Sequence, residues 1–159
     1  MNRRTFLRTT VIGGGAIGLG ACANTATVAT DVLTLVNAFE AALKLYPAGT
    51  IPAAASAGIA TVQSVAAALA QTKATPSNTQ GAQIVGAIET ALPILATAAT
   101  AIPVYGPQIA LALGAVNVLL PVAAAELGIA TASALSPSPA VAALPVVDLA
   151  TARALYAPR

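Results

Sequence analysis

Apolar residues recur along this chain at helical spacing in four successive stretches, each bounded by residues that start or stop a helix. In the first, Val28, Val32, Leu35, Phe39, Ala42 and Tyr46 follow one another in alternating steps of four and three. Thr30, Thr34, Asn37 and Lys44 take the other side, so the pattern predicts an amphipathic helix. It stops before Pro47, because proline disfavours the helical conformation in the residue ahead of it. Glu40 and Lys44 stand one turn apart on the outer side as a solvated pair. Pro52 then opens a second helix at its first turn, where its missing amide costs nothing. A narrow stripe of Ala55, Ile59, Val62, Ala66 and Leu69 carries that helix to about Gln71.

The polar connection Thr75-Pro76-Ser77-Asn78-Thr79 supplies two candidate caps, Ser77 and Asn78, for a third helix. Its buried face is Ile84, Ile88, Leu92, Leu95, Ala99 and Ile102. Pro93 interrupts this pattern and predicts a kink near Glu89, whose carbonyl loses its partner amide. After the tight connection at 102–107, a fourth helix is expected from about Gln108 to Leu127. Ile109, Leu113, Val116 and Leu120 line one side of it, and Leu111, Val118 and Val122 line the opposite side, so it is apolar all round. Such a helix is either central in a bundle or a membrane segment. The uncharged run from Ile109 to Ala125 has 17 residues, at the short limit for a span. Asn117, Pro121 and the many alanines favour the central position in a bundle. Gly128 is placed to close the helix in the left-handed conformation. Beyond it, Ser136-Pro137-Ser138-Pro139 is expected to be extended and exposed. Asp148 caps a last short helix from Leu149 to Tyr156, free either to dock on the bundle or to move.

The body so described is all-α: a small alanine-rich helical bundle of about four helices at 28–128, followed at 129–159 by an irregular Ser/Pro/Ala-rich tail with a short terminal helix. The 27 residues ahead of it have a different character. Arg3, Arg4 and Arg8 form a basic head, and Val11 to Ala21 follow without a charge, the layout of a secretory signal. Arg3-Arg4-Thr5-Phe6-Leu7-Arg8 resembles the twin-arginine translocation motif, with Gly13, Gly14, Gly15, Gly18 and Gly20 supplying the mild hydrophobicity of that class. Leu19-Gly20-Ala21-Cys22 resembles the lipobox of bacterial lipoproteins. That resemblance implies cleavage before Cys22, which as the new terminus would carry acyl chains. The expected organisation is therefore a signal peptide at 1–21, a tether at 22–27 and then the body. Ordinary signal-peptidase cleavage at Ala21-Cys22-Ala23 is the alternative, and the general secretion route is the alternative for export. Cys22 is the sole cysteine, so it has no intramolecular disulfide partner. Acyl chains on it would anchor the chain stably, each buried methylene contributing about 0.8 kcal/mol. Ala23 in the next position resembles lipoproteins sorted to the outer membrane.

The charge of the chain changes meaning once this segment is set aside. The formal net charge of +2 rests on Arg3, Arg4 and Arg8. Without them, Lys44, Lys73, Arg153 and Arg159 face Asp31, Glu40, Glu89, Glu126 and Asp148, a net of −1. No basic patch remains to neutralise phosphates, so nucleic acid is not an expected partner. Val11 to Gly18 fits the G-x-G-x-x-G dinucleotide fingerprint, and Asp31 falls near the ribose-binding position. No strand–helix alternation surrounds them, however, and the fingerprint has meaning only inside a βαβ unit.

Chemistry-bearing residues are sparse. The chain has no histidine, which removes the familiar catalytic triads and, with the single cysteine, the usual ligands of zinc, copper, haem and iron–sulfur clusters. Ser64 and Lys73 form no Ser-x-x-Lys pattern. Glu89 and Glu126 lie in apolar neighbourhoods where burial would raise a carboxyl pKa, but Glu89 is at the edge of its stripe and Glu126 near a helix end, so both are expected to reach solvent. Asn117 is expected to be a buried hydrogen-bonding residue that fixes register. No catalytic, metal or cofactor site is expected. The expected function is that of an exported, lipid-anchored, periplasm-facing protein on the outer or inner membrane of a bacterium, held there through Cys22. It would act as a non-catalytic structural or interaction module that binds a protein partner or itself. A helical hairpin inserted in the membrane, as a pore or a subunit of a membrane complex, is the second reading, and an enzyme the third.

Overall fold

The computed structural model describes residues 25–72, 76–129 and 138–158, and among them every regular element is an α-helix. These are α1 (Thr25–Lys44), α2 (Ala53–Thr72), α3 (Asn78–Thr100), α4 (Gly106–Glu126), α5 (Pro139–Ala142) and α6 (Leu149–Tyr156). Arg3, Arg4, Phe6, Leu7, Leu19, Gly20, Ala21 and Cys22 lie outside the described residues.

The four long helices pack in the order α2, α3, α4, α1, and the short α6 lies across α4 and α1 while α5 rests on α3. The expected apolar stripes form the core: Val32, Leu35, Phe39 and Ala42 from α1, Ala55, Ile59, Val62 and Leu69 from α2, and Ile84, Ile88, Leu92 and Leu95 from α3. Ile109, Leu113, Val116 and Leu120 complete it from α4. The fourth helix is central, in contact with α1, α3 and α6. Its apolar second side is covered only in part, with Val118 and Val122 half-buried and Leu111 exposed.

Two ends of the core are set by local chemistry. Ser77 begins α3 with a reciprocal cap: its hydroxyl accepts from the Gln80 amide at 3.2 Å while the Gln80 side chain accepts from the Ser77 amide at 3.0 Å. The helix continues through Pro93 to Thr100 as one element. At the end of α4, Gly128 takes a positive φ of 69°. The Ile129 amide then reaches the Ala124 carbonyl at 2.8 Å and the Gly128 amide the Ala125 carbonyl at 3.1 Å, the paired bonds of a Schellman ending.

Two expectations are corrected. The first concerns α1, whose polar side is narrower than its sequence suggests. Thr34 is buried along with Asp31, the Thr34 hydroxyl donating to the Thr30 carbonyl at 2.7 Å, because α6 covers this side. The second concerns Ser136-Pro137-Ser138-Pro139: Ser136 and Pro137 lie outside the described residues, and Ser138 is extended as expected, but Pro139 begins the short helix α5. The Ser138 hydroxyl accepts from the Val141 amide at 3.3 Å, and Pro139 occupies the first turn, where its fixed φ suits a helix. The terminal helix has the expected bounds, with Asp148 accepting from the Thr151 amide at 3.0 Å, and it docks.

Large apolar side chains go inward almost without exception. Among the described residues only Val104, Tyr105, Leu111, Val146 and Leu155 are large, apolar and exposed. The outer face of α2 presents Ala54, Ser56, Ala57, Ala60, Gln63, Ser64, Ala67 and Gln71. By length and composition alone, α2, α3 and α4 are each capable of crossing a membrane.

Candidate functional site

Three charged residues from three helices meet where α6 crosses α1 and α4. Arg153 comes from the middle of α6, Asp31 from the second turn of α1 and Glu126 from the last turn of α4. Each occupies an apolar stripe. Asp31 is in phase with Val28 and Leu35, Arg153 with Leu149 and Tyr156, and Glu126 with Leu119 and Ala123, all at steps of three, four or seven. The helices therefore point charge toward the interface they share.

Arg153 spans Asp31 in a two-pronged contact. Its Nε donates to Oδ1 at 3.1 Å, and its terminal nitrogen donates to Oδ2 in a short bond. This planar match of guanidinium and carboxylate is the strong form of the ion pair. Asp31 is 6% exposed and Arg153 43%, so the carboxylate is inside and the cation covers it from the solvent side. Glu126 is farther from the cation, its Oε1 standing 4.0 Å from the Arg153 terminal nitrogen. Its Oε2 is buried and has no donor within reach.

Burial pushes the Glu126 carboxyl up to about 7, a hydrogen bond with Asp31 and the charge on Asp31 push the same way, and Arg153 opposes them. The physical picture is a carboxyl pair with one cation. With Glu126 protonated, the proton serves the Asp31 carboxylate and the cluster is neutral. Ionised, Glu126 brings a second negative charge against Asp31 with one guanidinium between them. Arg153 is itself held further toward its charged form by Asp31.

No protein-family model, curated protein or solved structure matches the chain. The physical arrangement of the cluster thus stands by itself.

The expectation that Glu126 reaches solvent is met only in part: 20% of its side chain is exposed, while its second oxygen is enclosed. Helix-end position was a poor guide because α6 returns over that end. Asn117 is half-buried and lines a groove of about 280 Å³ with Val118, Pro121 and Val147, rather than lying inside the core. Ser64 is exposed and donates to the Thr61 carbonyl at 2.9 Å. Glu40 and Lys44 line a second groove, of about 350 Å³, with Leu43, Ile51, Ile59 and Gln63. A third, of about 320 Å³, lies at the α3–α4 turn between Ala99, Ile102, Gly106, Ala110 and Leu144. Among the described residues, no group of three or more His, Cys, Asp or Glu side chains comes together in a metal-binding arrangement.

Sequence reasoning missed the Asp31–Arg153 pair, which joins positions 122 residues apart. A signal was present nonetheless. A charged residue in phase with an apolar stripe needs a buried partner, and Asp31 and Arg153 each break a stripe in that way.

Proposed function

We propose that this chain is an exported lipoprotein of the bacterial envelope, anchored through Cys22 with its helical bundle facing the periplasm, and that it works as a non-catalytic structural or interaction module. The observation that carries the reading is the order Arg3-Arg4-Thr5-Phe6-Leu7, an uncharged glycine-rich run, and Leu19-Gly20-Ala21-Cys22, ending in the sole cysteine. The distribution of side chains supports a water-facing body. Helices in lipid would turn Leu, Ile, Val and Phe outward, whereas α2 turns out Ala, Ser and Gln.

The start of α1 supports close attachment. Thr25 follows Cys22 by three residues, a reach of about 10 Å even when extended. The bundle would sit against the membrane by the end that holds Asp31 and Glu126. The exposed Val104 and Tyr105 belong to the opposite end of α4, about 30 Å away along a helix of this length. That tip is the place to seek contacts with a partner or a second copy.

The second reading, a membrane-inserted hairpin, is favoured by one observation: α3 and α4 are adjacent, joined by a short turn, and apolar enough to span. A Cys22→Ser variant with its signal retained separates the two. Release from membranes at alkaline pH supports the anchored bundle; retention rejects it in favour of the hairpin. Intact-mass measurement of the mature chain tests the anchor directly, and an unmodified terminus rejects lipidation.

A further inference from the structure

We propose that Asp31, Glu126 and Arg153 form a proton-operated latch, which holds α6 on α1 and α4 while the Glu126 carboxyl is protonated and loosens it when that carboxyl ionises. The geometry carries the idea. Arg153 is the one charged group that α6 places in the interface, and Asp31 already occupies it with two hydrogen bonds. An ionised Glu126 therefore has a cation at 4.0 Å that is engaged elsewhere, a carboxylate beside it and an enclosed oxygen with no donor. Lifting α6 relieves this, since Glu126 then meets water. Protonation makes lifting costly, because the neutral cluster is satisfied where it stands.

The groups that face Glu126 are few. From α1 there is Asp31 and from α6 Arg153; Asp148 is exposed and occupied in capping α6. Glu126 is the only charged residue on α4, and α3 carries only Glu89, about two turns from Gly81, the α3 residue that lies level with Leu127. Among the described residues, Asp31 is the one other carboxyl at the contact.

The remaining attachments of α6 suit a latch. The helix has 8 residues, too few to be stable by itself, and it depends on its docked face. That face holds the buried Ala152 and a hydrogen bond from the Asn37 side chain to the Tyr156 carbonyl at 3.1 Å. Neither attachment changes with pH.

Proton linkage fixes the expected size of the effect. When α6 lifts, Glu126 returns to the ordinary carboxyl range, while in the closed state it holds its proton up to about 7. The opening constant then rises about tenfold per pH unit across that interval and levels off above it. Hydrogen–deuterium exchange of the full-length chain, corrected for the intrinsic pH dependence of amide exchange, reads this on amides 149–156. Protection is expected to fall by about fortyfold from pH 5 to pH 7, with α3 amides 84–99 more protected throughout. Glu126→Gln is expected to remove the pH dependence. A pH-independent α6 in the natural chain, α6 exchanging only together with α3, or an unchanged pH response in Glu126→Gln would each overturn the latch. Should that variant fail to fold, the carboxyl ¹³C shift of Glu126 in the natural chain decides: a midpoint near 7 supports the latch, and one in the ordinary carboxyl range overturns it.

Discussion

The side-chain amide of Asn37 donates to the carbonyl of Tyr156 at 3.1 Å, fastening the middle of α1 to the last turn of α6 across 119 positions of sequence. That carbonyl is one of the four a helix leaves without an internal partner at its end, so a polar residue on α1 completes a helix it does not belong to. Asn37→Ala removes the donor and leaves the carbonyl to water. A loss of about 1 kcal/mol is expected in urea unfolding, together with faster exchange in α6 and little change in α3. Unchanged exchange in α6 would show that the bond contributes nothing to docking.

Arg153 has a larger task. Removing it leaves Asp31, 6% exposed, and the enclosed Glu126 oxygen facing each other without a cation. Breaking such a pair by deleting one partner costs about 3 kcal/mol or more when both charges are buried, and Arg153 is 43% exposed, so about 2 kcal/mol is the expected loss for Arg153→Ala. The double variant Arg153→Ala/Asp31→Ala should recover part of that loss, since the stranded charge is removed with its partner. Chemical denaturation of the two variants checks the order: a double variant less stable than the single one would reject the account.

Gly106 and Gly81 predict different costs for the same methyl group. A Cβ at Gly106 would stand 2.6 Å from the Ala99 carbonyl oxygen, backbone that cannot retreat without moving the α3–α4 turn. A Cβ at Gly81 would meet Leu127 Cδ1 at 2.6 Å and Cδ2 at 2.7 Å, the far end of a flexible side chain. Gly106→Ala is therefore expected to cost about 2 to 3 kcal/mol. Gly81→Ala should cost under about 1, because Leu127 can rotate and alanine favours the helix. Thermal melts of the two variants read the difference directly, and equal melting temperatures would contradict it.

Helix positions were legible in the sequence because their rules are local. Ser77 with Gln80, Gly128 and Asp148 act within a turn or so of chain, and the spacing of Ile84, Ile88, Leu92 and Leu95 is visible without knowing what they touch. Docking was not legible in the same way. Nothing near Thr34 or Asn37 tells that α6 will cover them, and nothing near Glu126 tells that its helix end will be roofed. Asp31, read only against a nucleotide fingerprint, turned out to hold the far end of the chain. The single clue was a phase argument, with charge at a position where the surrounding period calls for an apolar residue. The residues from Arg3 to Cys22, proposed above as an export and anchoring address, belong to another category: such an address would be read by other proteins, and the packing of the bundle says nothing about it.

Glu126 also gives the whole protein a stability that declines as pH rises. Folded, its carboxyl is pushed up to about 7 by burial first and by Asp31 second; unfolded, it titrates near its ordinary 4.5. Between those values the folded chain holds a proton that the unfolded chain has released, so each rise in pH favours unfolding. The slope approaches about 1.4 kcal/mol per pH unit for a fully expressed shift, and it vanishes below 4.5, where both states are protonated, and above about 7, where both are ionised. Urea unfolding at pH 5, 6, 7 and 8 is expected to show falling midpoints that level off at the last step. Glu126→Gln, neutral throughout, should flatten the curve and exceed the natural chain in stability at pH 8. A natural chain that grows more stable from pH 5 to 7 would mean that the ionised Glu126 finds its compensation inside the fold, and the cluster would then be an ordinary three-membered ion pair.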